Sequence, residues 1–398
     1  MSFSSNPPLS LYIHFPWCEK KCPYCDFNSH LSDSQDGSIP EQAYIETLLQ
    51  DLQQDLPLIW GRSIESIFMG GGTPSLFSGE AIDFLLSQLR ALLRLKPDIE
   101  ITLESNPGSA DSDKFAAYKT AGVNRLSIGV QSFNDDQLNQ LGRIHNAEVA
   151  RQAFAKARDA GFDNINLDLM YGLPGQSLEQ AQADLQQAID LQPEHISHYQ
   201  LTIETNTSFF HQPPDNMPDD DLSWQIQQEC QKQLGLNNFV QYEVSAYSLK
   251  NKQCQHNLNY WHFGDYLGIG AGAHGKITQG GQNQVLRRNR QRQPKAYLQN
   301  IDSRITSERI LQPTDLIFEF MLNALRLTEG FLINDFIQNT GLNLSSILPT
   351  LNLAIDKGFL KMNSQKVWPT YLGLQFNNDL QELFLNVKSE NIKPFFSA

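Results

Sequence analysis

Six short apolar segments alternate with longer helix-like segments in the first half of the sequence, and this alternation limits the possible fold most. The predicted strands are Leu9–Phe15, Ser63–Met69, Ile99–Ser105, Asn124–Val130, Asn164–Met170 and His195–Leu201. The predicted helices between them are Glu41–Leu56, Gly79–Leu95, Asp111–Ala121, Ala147–Ala160 and Leu178–Leu191. Strands separated by helices pair in parallel through right-handed crossovers. Since a closed barrel needs eight such units, we predict a partial (β/α)6 TIM-like barrel, with a doubly wound open sheet as the alternative.

Distinctive polar or glycine-rich residues follow the carboxyl end of every predicted strand. A cysteine-rich loop follows the first strand, and Gly70-Gly71-Gly72-Thr73-Pro74 follows the second. The stretches at the ends of the other four are Glu104–Gly108, Gly129–Ser132, Asp168–Gly175 and Tyr199–Thr202. Because the carboxyl ends of barrel strands open on one mouth, we expect these stretches to meet at a single site.

The loop after the first strand holds three of the five cysteines of the chain, Cys18, Cys22 and Cys25. Cysteine thiolates, usually four of them, hold iron–sulfur clusters. The remaining cysteines, Cys230 and Cys254, are distant in sequence. A [4Fe–4S] cluster on this loop would therefore leave one iron open to an exogenous ligand, as reactive metal sites do.

A structural zinc site is the alternative for this loop, with His14 or His30 as the fourth ligand. Zinc tolerates three cysteines and one histidine. Zinc ligands, however, usually come as two short pairs rather than one run of three cysteines, so the spacing favours iron and sulfur.

Four polar side chains near the predicted mouth suit a small polar ligand. Glu104 and Asp168 could accept hydrogen bonds from hydroxyl or amino groups, and Arg143 could pair with a carboxylate. The fourth is Gln131. The glycines of the GGGTP loop lack the Lys-Ser/Thr of a phosphate-binding loop, so we expect them to offer bare backbone N–H and C=O groups to the ligand.

Composition and charge restrict the partners and the compartment. Of 398 residues, 40% are hydrophobic, and the formal net charge is −14. Nucleic-acid binding needs an excess of Lys and Arg, so no nucleic-acid partner is expected. The sequence lacks a signal peptide and any apolar run near the roughly 20 residues that span a bilayer, so we expect a cytoplasmic protein with at most peripheral membrane association. Cysteines stay reduced there, and a tight group of them indicates metal binding.

The chain divides into three predicted parts: residues 1–235 form the barrel, 236–302 a sheet extension and connector, and 303–398 a small C-terminal domain. In the connector, Gln241–Tyr247 is a predicted strand. A basic cluster is predicted to lie on a solvated face, with contact to propionates or an acidic partner as the alternative; its members are Arg287, Arg288, Arg290 and Arg292. The C-terminal part has predicted helices Asp315–Leu327 and Ser345–Lys357, a hairpin over 358–368 and a last helix from Tyr371. This order indicates a winged-helix-like α+β domain.

Several motifs resemble those of the radical S-adenosylmethionine (SAM) superfamily. The resemblance rests on the CxxxCxxC spacing, with an aromatic residue before the last cysteine, and on the GGGTP loop. The longer strings Tyr12–Cys18, Gly129–Phe133 and Asp168–Pro174 are similar to the branch that contains oxygen-independent coproporphyrinogen III dehydrogenase and the haem chaperones. The resemblance covers essentially the whole chain.

This resemblance implies a cofactor set and its binding residues. A [4Fe–4S] cluster would be held by Cys18, Cys22 and Cys25, with SAM on its open iron. By matching position, the residues implied to bind SAM are Tyr12, Tyr24, Gly71, Gly72, Thr73, Glu104, Gln131, Arg143 and Asp168. In radical enzymes of this kind an electron from the cluster splits SAM into methionine and a 5′-deoxyadenosyl radical, while the protein orients the cofactor.

Three features distinguish the two branches. Phe27 stands where the dehydrogenases have a further cysteine, only about eight residues precede the first strand, and residues 256–261 fit the HNxxYW motif of the haem chaperones. The resemblance thus implies a chaperone that can form a homodimer and passes haem to respiratory acceptor proteins, with no catalytic residue assigned. The alternative is a radical SAM enzyme acting on a porphyrin, either coproporphyrinogen III dehydrogenase or a haem-degrading methyltransferase.

The haem-binding candidates are His256, Tyr260 and Trp261 of this motif. Histidine is a common axial ligand of haem iron, and aromatic faces suit a porphyrin edge. The alternative is an ordinary core segment in which His256 is simply hydrogen-bonded.

Overall fold

A twelve-stranded sheet, with helices between its strands, forms most of the molecule. A computed structural model describes residues 1–32, 38–299, 302, 304–385 and 387, so the predicted domain boundary at residue 303 lies outside the described residues. The first six strands are β1 (Leu9–Phe15), β2 (Ser63–Gly71), β3 (Arg94–Ser105), β4 (Arg125–Gln131), β5 (Ile165–Tyr171) and β6 (His195–Gln200). The helices between them are α1 (Glu41–Asp55), α2 (Gly79–Leu92), α3 (Ser112–Ala121), α4 (Asp135–Gln140), α5 (Ala147–Asp159) and α6 (Leu178–Asp190).

These six strands pair in parallel in sequence order, and the ends of the sheet do not join. The prediction of a partial barrel is therefore confirmed. Side-chain caps fix several helix starts: Ser78, Asp111, Asn146 and Ser177 each accept a hydrogen bond from a backbone N–H of the first turn. The apolar faces of β1 to β6 and of the helices share one buried core.

The boundary between α2 and β3 differs from the prediction. Helix α2 ends at Leu92 rather than Leu95, and β3 begins at Arg94, where it pairs with Ser63 of β2. Pro97 supplies a physical reason, because a proline restricts the preceding residue to extended conformations.

Six further strands extend the sheet on both sides. The elements after β6 are α7 (Ser208–His211), α8 (Asp220–Leu236), β7 (Val240–Glu243), β8 (Ala246–Ser248), α9 (Gln255–Trp261), β9 (Asp265–Ile269), β10 (His274–Gln279), β11 (Gln284–Arg290), α10 (Pro294–Gln299) and β12 (Ile305–Ile310). Strand β9 pairs in parallel with β1, and β10, β11 and β12 follow it in antiparallel order. Strand β8 pairs antiparallel to β6. The N-terminal strand β1 therefore lies inside the sheet, between β2 and β9.

The predicted single strand Gln241–Tyr247 is wrong, because these residues form the hairpin of β7 and β8. The Glu243 side chain closes the turn by accepting hydrogen bonds from the backbone N–H and the hydroxyl of Ser245, at 3.2 and 3.1 Å. Such local side-chain bonding competes with a continuous strand.

The predicted solvated arginine face is also wrong for most of the cluster. On β11, Arg288 and Arg290 are two residues apart and so face α1, where Asp51 and Asp55 lie one turn apart. Arg290 Nε lies 2.9 Å from Asp51 Oδ1, and Arg290 Nη2 lies 2.6 Å from Asp55 Oδ2. Arg288 also pairs with Asp55. Buried charges need such partners, so these arginines stabilise the contact between α1 and the sheet extension.

A smaller unit with its own core follows the sheet. Its elements are α11 (Pro313–Ala324), β13 (Phe331–Leu332), α12 (Ile333–Thr340), α13 (Leu348–Asp356), β14 (Leu360–Met362), β15 (Lys366–Pro369), α14 (Tyr371–Gln375) and α15 (Asn377–Glu382). The three strands pair in the order β13-β15-β14, which includes the predicted hairpin. The helices with this small sheet agree with the predicted α+β C-terminal fold. Across the described part of the chain, no helix has both the length and the apolar character to cross a membrane.

Candidate cluster and cofactor site

A cavity of about 320 Å³ opens at the carboxyl ends of β1 to β6. The predicted site residues that line it are Cys18, Cys22, Tyr24, Cys25, Gly71, Gly72, Thr73, Glu104, Gln131, Arg143 and Asp168. Every one of the six strands contributes, as expected from parallel strands that share one mouth. Of the predicted cluster and SAM residues, Tyr12 alone is placed elsewhere and lines a neighbouring cavity.

The three cysteines are free thiols on one wall of this cavity. Thr73 Oγ1 donates to Cys18 Sγ at 3.5 Å, and Arg143 Nη1 donates to Cys22 Sγ at 3.6 Å. Burial raises the pKa of Cys18 and of Cys25. Metal binding would therefore release protons, and donors from Thr73 and Arg143 suit sulfur atoms that gain negative charge. The donor set fits an iron–sulfur cluster.

His14 and His30, the candidate fourth ligands of a zinc site, are hydrogen-bonded to other groups. His14 Nδ1 is hydrogen-bonded to the Tyr12 hydroxyl and His14 Nε2 to the Asn28 carbonyl oxygen, both at 2.9 Å. His30 Nε2 is hydrogen-bonded to Asn28 Oδ1 at 3.1 Å. Neither imidazole is among the described residues that line the cysteine cavity. This arrangement disfavours a fourth zinc ligand from either histidine.

The GGGTP loop attaches the cysteine loop to β2. The N–H groups of Gly72 and Thr73 donate to the carbonyl oxygens of Phe15 and Trp17, both at 2.7 Å, and Gly71 N donates to Glu104 Oε2 at 3.1 Å. The expected bare N–H groups are therefore wrong. A Cβ at Gly72 would lie 2.5 Å from the Trp17 carbonyl oxygen, so the glycine is needed where the two loops approach.

Two partly buried carboxyl groups, Glu104 and Asp168, face the cavity. Burial and the neighbouring Asp168 raise the pKa of Glu104 to about 7. Burial also raises the pKa of Asp168, which accepts hydrogen bonds from Asn166 and Ser127 at 2.8 and 3.2 Å. A ligand ammonium group beside Glu104 would favour its ionised form, so the pair is suited to a cationic, hydroxyl-rich ligand.

Arg143 is the main cation aimed at this cavity from the α4–α5 loop. Its Nη2 donates to Gly129 O at 2.8 Å and to Asn106 Oδ1 at 3.2 Å, while its buried Nε has no hydrogen-bond partner. No Asp or Glu side chain of the described residues pairs with it. A buried guanidinium without a carboxylate partner is costly, so the site is suited to an anionic group of a ligand.

Gln131 ends β4 in a strained conformation. Its φ is 71°, in the left-handed region that favours glycine, and the pairing of β4 with β5 is irregular just before it. The Tyr199 hydroxyl donates to Gln131 Oε1 at 2.7 Å. Strained residues of this kind concentrate at functional sites. Tyr199, whose stretch was predicted to lie at the mouth, also lines the cavity, as does Ser127, which was not predicted.

A second cavity, of about 420 Å³, adjoins the first and shares Phe27, Gly71 and Glu104 with it. Its other lining residues are Tyr12, His14, Asp26, Asn28, Tyr260, Tyr266, Gly272, His274 and Arg292. Phe27 is 61% exposed on the rim common to both cavities. The second cavity is thus an aromatic space beside the cysteine cavity.

The structure separates the three haem-binding candidates of α9. Tyr260 lines the second cavity, whereas His256 lies behind it and is 1% exposed. His256 Nδ1 is hydrogen-bonded to Ser66 Oγ at 2.9 Å, and His256 Nε2 to the Tyr260 hydroxyl at 3.1 Å. Trp261 lies under the guanidinium of Arg326, 4.4 Å from its ring centre, and so contacts the chain near the C-terminal unit.

His256 belongs to a buried polar network of side chains and two backbone N–H groups that joins the two cavities through the sheet interior. The side chains of Asp168, Asn166, His195 and Tyr242 are linked in this order. The backbone N–H of Cys254 donates to Tyr242, the Cys254 thiol and the backbone N–H of His256 donate to Glu100, and the His256 imidazole is hydrogen-bonded to Tyr260. Burial lowers the pKa of His256 to about 3, so this imidazole is neutral. Its place in the network makes His256 a support for Tyr260.

The chain matches two protein families and several named relatives. Residues 12–188 match the Radical SAM superfamily, and residues 311–376 match the HemN C-terminal domain. The chain is 49% identical to Heme chaperone HemW of Haemophilus influenzae, covering 95% of this chain and 98% of the relative, and 49% identical to Heme chaperone HemW of Escherichia coli, with the same coverage. The Bacillus subtilis protein of that name is 33% identical over 94% of this chain and 99% of its own.

A solved structure shares the fold along nearly the whole chain. Coproporphyrinogen III oxidase (HemN) from Escherichia coli, a radical SAM enzyme, superposes with a TM-score of 0.79 at 24% identity. The superposition covers 95% of this chain and 90% of that one. At this identity the likeness establishes the fold alone.

Proposed function

Because the chain belongs to the HemW family of radical SAM proteins, we propose that it is a haem chaperone that binds haem and transfers it to acceptor proteins, respiratory proteins among them. The observation that carries this proposal is the match over 98% of the length of two relatives named Heme chaperone HemW. Phe27, in place of a further cysteine, and residues 256–261 with the HNxxYW pattern support the same assignment. We further propose a cytoplasmic protein that can dimerise, with at most peripheral membrane association.

The cysteine cavity is proposed to hold a [4Fe–4S] cluster and SAM. Cys18, Cys22 and Cys25 would bind the cluster, since they are free thiols on one wall. When bound, the cluster and SAM supply one-electron chemistry at the open iron. The protein would hold the SAM carboxylate on Arg143 and its ammonium group on Glu104.

The remaining walls would fix the nucleoside part of SAM. Asp168 is held by hydrogen bonds from Asn166 and Ser127, which leaves the carboxylate oriented toward the cavity to accept from ribose hydroxyls. Gln131 is oriented by the Tyr199 hydroxyl, and Tyr24 and the GGGTP loop enclose the opposite side. Enclosure of the ligand excludes water and strengthens each of these polar contacts.

An anaerobic experiment with the reconstituted protein tests this function. The protein is loaded with iron, sulfide and SAM, and is then offered haem or coproporphyrinogen III in separate reactions. We expect a haem Soret band that moves to an apoprotein acceptor on mixing, and no protoporphyrinogen. Production of protoporphyrinogen, or haem transfer no faster than from free haem, would contradict the chaperone assignment and favour a radical enzyme that acts on a porphyrin.

A further inference from the structure

His274 is the imidazole of the second cavity that is available to bind iron. It lies at the start of β10, is exposed, and lines the cavity with Tyr12, Tyr260 and Arg292. The preceding turn brings it there. Gly270 and Gly272 have φ values of 103° and 85°, so the chain reverses between β9 and β10 in a conformation that other residues rarely adopt.

The other two histidines near this cavity are not available in the same way. Both ring nitrogens of His14 are hydrogen-bonded, to Tyr12 and to Asn28, and both ring nitrogens of His256 are hydrogen-bonded, to Ser66 and to Tyr260. The His274 imidazole makes no side-chain hydrogen bond to the described residues, and the His274 backbone pairs with Asn289. Burial, Arg287 and Arg292 lower its pKa, and a neutral imidazole is the form that binds metal.

Arg292 provides a cation on the same wall. Arg287, Arg288 and Arg290 each pair with a carboxylate, whereas no such pair forms at Arg292 within the described residues. Asn28 Nδ2 donates to the Arg292 carbonyl oxygen at 2.9 Å, which fixes this arginine beside Phe27. Arg292 lines both the second cavity and an adjoining cleft of about 560 Å³ that opens outward. The second cavity and the cleft together can therefore hold a larger ligand than the second cavity could hold alone.

The remaining walls are aromatic, with two carboxyl groups. Tyr260 and Tyr266 contact each other edge to face, with ring centres 4.5 Å apart, and the exposed Phe27 ring lies at the rim. Glu104 and Asp26 are the acidic residues of the cavity. Glu104 has a pKa of about 7 and is shared with the cysteine cavity, and Asp26 is exposed to solvent. A flat apolar ligand with a metal at its centre and acidic groups at one edge matches this combination of side chains.

We propose that His274 is the protein ligand of haem iron in this second cavity, that Arg292 pairs with a haem propionate, and that His256 acts indirectly by positioning Tyr260. This inference rests on the proposed haem-binding function. Coordination joins a ring-nitrogen lone pair of His274 to the iron without any change of oxidation state. Haem would then lie next to the cluster and SAM, separated from them by Gly71 and Glu104.

Titration of the full-length, cluster-loaded protein with ferric haem tests the proposal. We expect His274→Ala to lose the Soret and electron paramagnetic resonance features of imidazole-bound iron. Its affinity should fall by at least the roughly 10- to 100-fold seen when supporting residues of metal sites are removed. Added imidazole should restore the spectrum, which a folding defect would not allow. His211→Ala, which replaces an exposed histidine on α7, is the matched control and should bind as the parent protein does.

The propionate contact is tested with haem and its dimethyl ester. Arg292→Ala should weaken haem binding by about two- to tenfold, and should leave the binding of the ester unchanged because the ester lacks the acidic groups. Arg94→Ala, at the exposed amino end of β3, is the control. Equal weakening for haem and the ester would overturn this part of the proposal.

The variant His256→Ala tests whether His256 or His274 coordinates the haem iron. We expect a smaller loss of affinity with retention of the imidazole-bound spectrum, because Tyr260 loses its support while His274 remains. If His256→Ala removes the spectrum and His274→Ala keeps it, the assignment of His274 is wrong although haem binding stands. If the parent protein itself binds no haem, the proposed function fails together with this inference.

Discussion

The two adjoining cavities differ in how the chain builds them. The cysteine cavity takes its walls from the carboxyl ends of six consecutive parallel strands, and its wall residues lie in these strands or in the segments that follow them. The second cavity joins β1 to the β9–β10 turn and to α9, which come much later in the chain. The first is therefore a property of the barrel, while the second arises only from the extension of the sheet. Substitution of a residue that lines only one cavity should therefore have little effect on ligand binding in the other.

The largest effect should come from the cysteines. Cys22→Ala removes one of the three thiols of the cysteine cavity, and we expect the reconstituted protein to lose most of its iron and sulfide, measured chemically per chain. Haem binding should persist, because Cys22 lines neither the second cavity nor the adjoining cleft. Cys230→Ala, buried in α8, is the control and should keep its cluster. Equal iron contents in both variants would show that the cluster lies elsewhere.

Arg143→Ala should weaken the binding of SAM without weakening the binding of haem. Loss of a charge-assisted hydrogen bond is worth about 1.5–3 kcal/mol, so SAM affinity should fall by roughly 10- to 100-fold in equilibrium binding. Haem affinity should change little. Arg151→Ala removes an exposed arginine paired with Glu148 and should affect neither ligand. A parallel loss of SAM and haem binding would mean that the cavities do not act as separate sites.

The pH dependence of SAM binding should follow Glu104. Its pKa is raised to about 7, so the carboxylate is ionised above this pH and protonated below it. An ammonium group is attracted only by the ionised form, and SAM affinity should therefore decrease as the pH falls from about 8 to about 6, by up to about tenfold. Glu104→Gln should bind more weakly with a flatter profile. An unchanged profile in this variant would assign the dependence to another group.

The smallest effect is expected for Tyr260→Phe. The change removes the hydrogen bond to His256 Nε2 and leaves a buried nitrogen unpaired, which costs about 1–3 kcal/mol of unfolding free energy in denaturant titrations. The aromatic wall is kept, so haem affinity should fall by less than in His274→Ala. Tyr371→Phe, on the exposed surface of the C-terminal unit, controls for the loss of a hydroxyl. A greater loss of haem binding than in His274→Ala would contradict the assignment of His274 as the iron ligand.

The difference in how the two cavities are built also explains which parts of the site could be predicted from the sequence. Residues near the carboxyl ends of strands, such as Cys18, Thr73, Glu104 and Asp168, were placed at one mouth because parallel strands fix that relation. The strand boundaries were close for β1, where Leu9–Phe15 agrees with the prediction at both ends. The predicted division into three ranges stays a prediction, as do the ligand roles of the residues at the mouth.

The second cavity could not be predicted, because no local pattern shows that β9 will pair with β1. The sequence therefore gave no reason to combine Tyr12 with Tyr260 and His274. Local patterns were also insufficient for the arginines of β11, whose acidic partners Asp51 and Asp55 belong to α1. His256 was recognised by its motif, but its burial depends on the Ser66 and Tyr260 contacts, which only the packed structure reveals.

The place of β1 inside the sheet has a consequence for biosynthesis. Strand β1 gains its second neighbour only when β9, Asp265–Ile269, has emerged from the ribosome, and Asn28, beside the cysteine loop, bonds to Ala271 and Arg292. Such contacts, distant in sequence, form late because loop closure must precede them. A nascent chain that stops before β9 therefore presents an incompletely supported cysteine loop. The segment that contains β9 and Arg292 must therefore be translated before the cysteine loop can assume its final form.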